Sequence, residues 1–198
     1  MVAVASMLRS AVGILLCMTI LTGGIYPLVV TALSQVVFHH EANGSLILKD
    51  DKVVGSKLLG QQFTKAHYFW GRPSATTPPY NAAASAGSNL SPANSKLRAS
   101  INERIIHLKK AHPDNDQPIP IDLLTASASG LDPHISVIAA QWQAARVAKH
   151  RRMKTEDVLM LIYKHSDDSL LGVVGQPRIN VLRLNMALDA LQNTTAAK

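Results

Sequence analysis

A chain of 198 residues that is 47% hydrophobic, carries a net charge of +7 and contains one cysteine has room for one soluble domain beside an apolar segment, which argues against a second large domain. A single thiol excludes an intramolecular disulfide, so stability has to come from packing. Arg9 is the only one of the 20 Lys and Arg residues to precede the apolar run, so residues 39–198 hold 19 basic against 13 acidic side chains, a net charge of +6.

The stretch Ser10 to Phe38 contains no charged residue. About 20 apolar residues rising roughly 1.5 Å each cover a bilayer core, and Ala11 to Val30 alone meets that length. We therefore expect residues 1–9 as a short cytoplasmic N-terminus, 10–38 as a transmembrane helix region and 39–198 as a single extracytoplasmic domain. Gly23, Gly24 and Pro27 are tolerated in lipid only where a local kink or neighbouring helices compensate, which makes them, with Gly13, candidate helix-packing positions. A cleaved secretory signal is the alternative, because Arg9 precedes the apolar core and Ala32-Leu33-Ser34 has a small-x-small pattern; a buried core helix is the third reading. Signal cores run to roughly 7 to 15 residues, so length favours the anchor. With no Lys or Arg after Arg9 until Lys49, the positive-inside tendency puts the N-terminus in the cytoplasm and the domain outside.

After a polar exit with a turn at Asn43-Gly44, Leu46 to Lys49 and Lys52 to Leu59 read as two strands about Asp50-Asp51. Residues 71–95, rich in Gly, Pro, Ser, Ala and Asn, form a long loop. Such loops are either binding elements or flexible linkers, and Tyr68, Phe69, Trp70 and Tyr80 supply anchors unusual in a linker. A helix follows from Ser95 on Leu97, Ile101, Ile105 and Leu108, and His112-Pro113 stops it. Pro118 to Thr125 suits a short strand, left through a turn at Ser127 to Gly130. Asp132 then caps a helix with Pro133 at its first position and Ile135, Ile138, Trp142 and Ala145 as the buried stripe. Thr155 caps another helix on Val158, Leu161 and Ile162, and Leu170 to Val174 is a strand. Asn180 caps a last helix on Val181, Leu184, Leu188 and Leu191. The fold class is α+β: one N-terminal transmembrane helix followed by a single soluble extracytoplasmic domain.

No candidate catalytic or ligand-binding motif in the chain is complete. Gly55 to Gly60 has P-loop glycine spacing, but Gln61-Gln62 replaces the Lys and Ser or Thr that hold phosphate and magnesium. Asp114-Asn115-Asp116 lacks the glycine and closing glutamate of a calcium loop. Eight histidines offer no metal-ligand spacing, so no metal site is expected. Ser127 and Ser129 have no G-x-S-x-G frame, and turn hydrogen bonding is their expected role. The basic run Lys149 to Lys154 lacks the aromatic residues that stack on bases, so it reads as solvated helix surface and no nucleic-acid partner is expected.

Three segments together carry a family resemblance. They are Gly71-Arg72-Pro73-Ser74-Ala75 with Gly87-Ser88-Asn89-Leu90, then Thr125-Ala126-Ser127-Ala128-Ser129-Gly130-Leu131-Asp132, then Gly175-Gln176-Pro177-Arg178-Ile179-Asn180-Val181 with Leu184-Asn185 and Ala187-Leu188-Asp189. In order and combination they resemble the KdpC family, the C subunit of the bacterial high-affinity potassium-transporting Kdp ATPase. The resemblance implies a single-span subunit of an inner-membrane complex. Its partners would be a channel-like potassium-binding subunit, a P-type ATPase subunit and a small one-helix subunit. It also implies a role in assembly, and as a catalytic chaperone that raises the pump subunit's affinity for ATP. The chain is not expected to be catalytic: Asp51-Lys52 is followed by Val53-Val54, not by the Thr-Gly of a phosphorylation motif. No tightly bound cofactor is implied, ATP being reached through the complex.

The family's nucleotide idea carries over to Gln143 and Arg146. An outer domain lies across the bilayer from cytoplasmic ATP, however, so an effect there has to be allosteric; the other reading of the pair is helix surface or interface. Partner contacts are expected from the loop over 68–90 and the turn over 127–132, through Arg72, Pro73, Ser74, Ser88, Asn89, Ser127, Ser129 and Asp132. A membrane-tethered periplasmic enzyme or ligand-binding module, recognisable by a pocket of convergent titratable groups, is the alternative function.

Overall fold

The computed structural model describes residues 2–167 and 175–196, and divides into one unit over Met1–Leu46 and a second over Ile47–Lys198. The strand expected at Leu170 to Val174 lies outside the described residues.

In the first unit, α1 (Val2–Ile20) runs through a π-helical turn (Leu21–Ile25) into α2 (Tyr26–Val37). Val4–Val37 is one helical run of 34 residues, long and apolar enough to cross a membrane. The wide turn sits where Pro27, lacking an N–H, interrupts the ladder: Tyr26 N–H reaches back five residues to the Leu21 carbonyl. The hydroxyls of Thr19 and Thr22 donate to the carbonyls of Leu15 and Met18 at 2.8 and 2.7 Å, so these two polar groups are satisfied within the apolar run. A short α3 (His39–Ala42) follows and ends at Asn43, whose side chain donates to Gln35 Oε1 and the His39 carbonyl.

The second unit opens on a two-stranded sheet, β1 (Leu46–Lys49) and β2 (Lys52–Ser56). Asp50 and Asp51 both have positive φ, the requirement of the two-residue hairpin turn that matches strand twist. β2 stops at Ser56, short of the expected Leu59, because the Ser56 hydroxyl accepts from Leu58 N–H and starts a turn. Helix α4 (Ser95–Ala111) is capped by Asn94, buries Leu108 and ends at His112, as its pattern predicts.

Two expectations fail next. Pro118 to Thr125 is not a strand: two prolines remove ladder donors, and Ile121–Leu123 is a short 3-10 turn closed by Thr125 Oγ1 on the Ile121 carbonyl. Asp132 does not cap a helix either. Its carboxylate accepts from His134 N–H, and His134–Ser136 is strand β3. Helix α5 (Val137–Arg151) starts later, capped by Ser136, whose hydroxyl accepts from Ala139 N–H. Of the expected stripe Ile135 and Trp142 are buried, Ile135 from β3, whereas Ile138 is 68% exposed and Ala145 is exposed; Ala139, Ala140, Gln143, Ala144 and Val147 are buried with Trp142.

Thr155 is the first residue of α6 (Thr155–Lys164) and supplies no side-chain cap; Val158 and Ile162 are wholly buried as expected, and Leu161 partly. Strands β4 (Ser166–Asp167) and β5 (Arg178–Asn180) complete an antiparallel sheet in the order β3-β5-β4, with His134 opposite Asn180 and Ser166 opposite Ile179. Asn180 Oδ1 accepts from Arg183 N–H and opens α7 (Val181–Ala196), on which Val181, Leu184 and Leu188 are buried. Phe69, Ile135, Val147, Val158, Ile162, Ile179, Leu184 and Leu188 make one core, and the fold class is α+β.

Candidate functional site

Two neighbouring backbone units, Phe69 and Trp70, lie in no regular strand, yet both are hydrogen-bonded as if they did. Asn185 of α7 accepts from Phe69 N–H at 2.8 Å and donates to its carbonyl at 3.0 Å. Gln143 of α5 accepts from Trp70 N–H at 2.9 Å and donates to its carbonyl at 3.1 Å. A side-chain amide carries one acceptor and two donors, so it can stand in for a strand neighbour. The second Gln143 N–H bonds the Ala139 carbonyl, and its oxygen also accepts from Arg146 Nη2. Gln143 is 0% exposed and has no polar atom left unused.

Arg146 extends this clamp. Its Nη1 donates to the carbonyls of Ala66 and Tyr68, its Nε donates to His112 Nε2 at 2.9 Å, and its guanidinium lies 4.1 Å from the centre of the Trp70 ring. A buried guanidinium held by carbonyls and an aromatic face keeps its charge at a cost, and burial lowers its pKa to about 10. His112 Nε2 accepts from a permanent donor, so the ring is neutral with its proton on Nδ1, which donates to the Leu108 carbonyl at 2.8 Å. Burial, reinforced by the Arg146 charge, pushes this imidazole down to about 4.

Next along the same strap, Arg151 Nη2 meets Asp189 at 2.7 Å and Arg151 Nε donates to the His67 carbonyl, while Tyr68 Oη donates to the other Asp189 oxygen. The expectation of solvated helix surface therefore fails for Gln143, Arg146 and Arg151, the arginines each being 5% exposed. It holds for Lys149, His150, Arg152 and Lys154.

The loop over 71–95 and the turn over 127–132 form a second network. Arg72 Nη1 pairs with Asp132 at 3.2 Å and Nη2 donates to the Ala126 carbonyl. Ser74 Oγ donates to the Gly130 carbonyl at 2.7 Å and accepts from Tyr80 N–H, and Tyr80 Oη returns to the Arg72 carbonyl. Burial first, then the Asp132 charge, pushes the Tyr80 phenol up to about 12. The Ser129 carbonyl accepts from Ala86 N–H and from the Ser85 hydroxyl. Ser127 and Ser129 accept from Gly130 N–H and Leu131 N–H, which is the turn chemistry expected of them. Gly130 has φ +68°, and a Cβ there would lie 2.7 Å from the Ala86 carbonyl oxygen.

Arg72, Ser74, Ser127, Ser129 and Asp132 are thus brought together, with Pro73 half-buried beside them; Ser88 and Asn89 stand exposed along the loop. In the first unit, a Cβ added at Gly13, Gly23 or Gly24 meets nothing within 4 Å. Among the described residues no three His, Cys, Asp or Glu side chains are grouped to hold a metal. Asn185 and His112 were missed as site residues. For Asn185 the signal was available, a polar residue lying beside Leu184 and Leu188 on an otherwise apolar stripe.

The family described as K+-transporting ATPase, c chain, matches residues 8–190. A protein of Dechloromonas aromatica named potassium-transporting ATPase KdpC subunit is 52% identical over 187 residues, covering 94% of this chain and 98% of its own length. Proteins of the same name from Methylococcus capsulatus and Polynucleobacter asymbioticus are 52% and 51% identical over 185 residues, each covering 93% of this chain and 97% and 98% of their own lengths.

Proposed function

The chain belongs to the KdpC family, and on that premise we propose that it is the membrane-anchored C subunit of a potassium-transporting ATPase complex, contributing structure to it and no chemistry of its own. Its N-terminus lies in the cytoplasm, the Val4–Val37 helix crosses the inner membrane, and the α+β domain lies outside. There it meets a channel-like potassium-binding subunit through the loop over 68–90 and the turn over 127–132, which the network of Arg72, Ser74, Ser127, Ser129 and Asp132 joins and on which Pro73, Ser88 and Asn89 are presented. In the membrane, Gly13, Gly23, Gly24 and Pro27 pack against helices of the P-type ATPase subunit and the small one-helix subunit. The chain raises the pump's affinity for ATP indirectly, by binding one state of the pump better than another through the span.

The observation that carries the structural reading is the saturation of Gln143. It is fully buried, with its donors on Trp70 and Ala139 and its acceptor on Trp70 and Arg146, an arrangement suited to bracing the fold and not to receiving a nucleotide. The test is coexpression with the other subunits of the complex, with and without residues 1–38. The full chain is expected to copurify stoichiometrically and the truncated chain to be lost from the complex. Stoichiometric copurification of the truncated chain would show that the span does not anchor it.

A further inference from the structure

Between the end of α4, the turn that follows it and one face of α5 lies a half-open cavity of about 430 Å³ with an apolar floor that includes the Trp142 ring. Its charged lining is mostly cationic: Lys110 and Lys149 stand exposed at the rim and Arg146 lies buried at the wall, against a single carboxylate, Asp114. Asp114 meets Lys149 at 3.1 Å, but the two side chains are 80% and 72% exposed, so this pair is solvent-screened and easily exchanged. Lys110 has no acidic partner among the described residues, and neither does Arg146, whose donors go to carbonyls, to Gln143 and to His112. A fixed cation at the wall, two exposed ammonium groups at the rim and an aromatic floor call for an anion carried on an apolar stem.

We infer that this cavity is a docking socket for a short acidic segment of a protein partner, with a Glu or Asp carboxylate taken between Lys110 and Lys149 and the adjoining apolar atoms laid over Trp142. A protein segment fits better than a membrane surface, which is read by broad clusters of four to eight basic residues and not by an apolar recess with two lysines. It fits better than a bare inorganic anion, which would give up its water to face a floor without donors. The inference rests on the reading of the chain as a subunit of a larger complex.

The test uses the full chain and the double variant Lys110→Glu/Lys149→Glu, both positions being exposed and outside the core. Wild type and variant are coexpressed with the partner subunits and washed in low and moderate salt. The variant is expected to retain partners at least about five-fold less well, with the difference narrowing as salt screens the wild type. In a second arm, an acetylated and amidated hexapeptide of alternating Glu and Leu is titrated into the detergent-solubilised chain while emission is followed from its two tryptophans, Trp70 and Trp142. A saturable shift in the wild type that is weakened at least about five-fold in the variant supports the socket. Equal retention and equal peptide binding by the variant overturn it. A response to inorganic phosphate or to phosphatidylglycerol vesicles that matches the peptide's also overturns it, in favour of a small-anion or lipid site. A wild type that fails to copurify at all removes the subunit reading instead, and the peptide titration still judges the socket.

Discussion

At residue scale, the two amide clamps make a sharp energetic claim. Truncating Gln143 to alanine strands Trp70 N–H, the Trp70 carbonyl and one Arg146 N–H in a buried place. Each orphaned group costs about 1 to 3 kcal/mol, so we expect Gln143→Ala to lose about 3 to 5 kcal/mol in urea unfolding followed by tryptophan emission. Gln143→Glu keeps both acceptor bonds and adds a charge partner for Arg146, but it sets a carboxylate oxygen against the carbonyls of Trp70 and Ala139, which Gln143 now donates to, so it should destabilise as well. A loss below about 1 kcal/mol in the alanine variant would mean that the clamp is dispensable. His112 makes a pH-dependent claim. Its imidazole falls from 6.5 in the unfolded chain to about 4 in the folded one, so between those values the unfolded state binds the extra proton. The stability is therefore full above pH 6.5 and is lost as pH falls toward 4, by up to about 3 kcal/mol. The structural cause is specific: protonating Nε2 turns the acceptor of Arg146 Nε–H into a second donor facing a cation. His112→Gln should flatten the slope of unfolding free energy over that range, leaving the smaller part due to His67, which burial also lowers. An unchanged slope in the variant would remove His112 from the account.

At element scale, the long loop is held by what would be lost at Gly130. With φ at +68° and the Ala86 carbonyl oxygen 2.7 Å from any added Cβ, Gly130→Ala has to shift either the turn or the loop. We expect about 1 to 3 kcal/mol of destabilisation and faster proteolytic cleavage within residues 71–95, while cleavage elsewhere stays unchanged. Cleavage of the loop at the wild-type rate would show that the two segments are not mechanically joined. This joining was only half legible in the sequence. The hairpin, α4, α6 and α7 could be read because apolar periodicity and turn residues act locally. Pro118 to Thr125 looked like a strand because the apolar residues alternate, and the missing N–H groups of two prolines overrode that pattern. Asp132-Pro133 looked like a helix start, but pairing with β5, more than forty residues away, drew His134–Ser136 into a sheet and moved the cap to Ser136. The burial of Gln143 was hidden for the same reason: its partner Trp70 lies 73 residues back along the chain, beyond the reach of any local pattern. Serine roles at 127 and 129 were legible because turn hydrogen bonds close within three residues.

At the scale of the whole molecule, the proposed mechanism depends on which side of the bilayer the α+β domain occupies. The charge asymmetry is the physical ground for placing it outside. Arg9 flanks the start of the apolar run, and the first basic residue beyond its end is Lys49, outside the short flank in which positive charge sets orientation. The net charge of +6 on residues 39–198 does not oppose this, because long domains translocate largely regardless of charge. A reporter enzyme active only outside the cytoplasm, fused after Lys198, should therefore be active, and its counterpart active only in the cytoplasm should be silent. Replacing Arg9 by Glu while adding two lysines next to His39 should shift the balance toward the opposite orientation. An effect on ATP affinity would then be expected to pass through Val4–Val37, the one candidate span among the described residues, and to be lost on replacing that run by an unrelated apolar helix even with the outer domain intact. If the cytoplasmic reporter is the active one, residues 39–198 share a compartment with ATP, the indirect route is no longer needed, and the cation-lined cavity beside Arg146 would have to be tested against nucleotides before peptides.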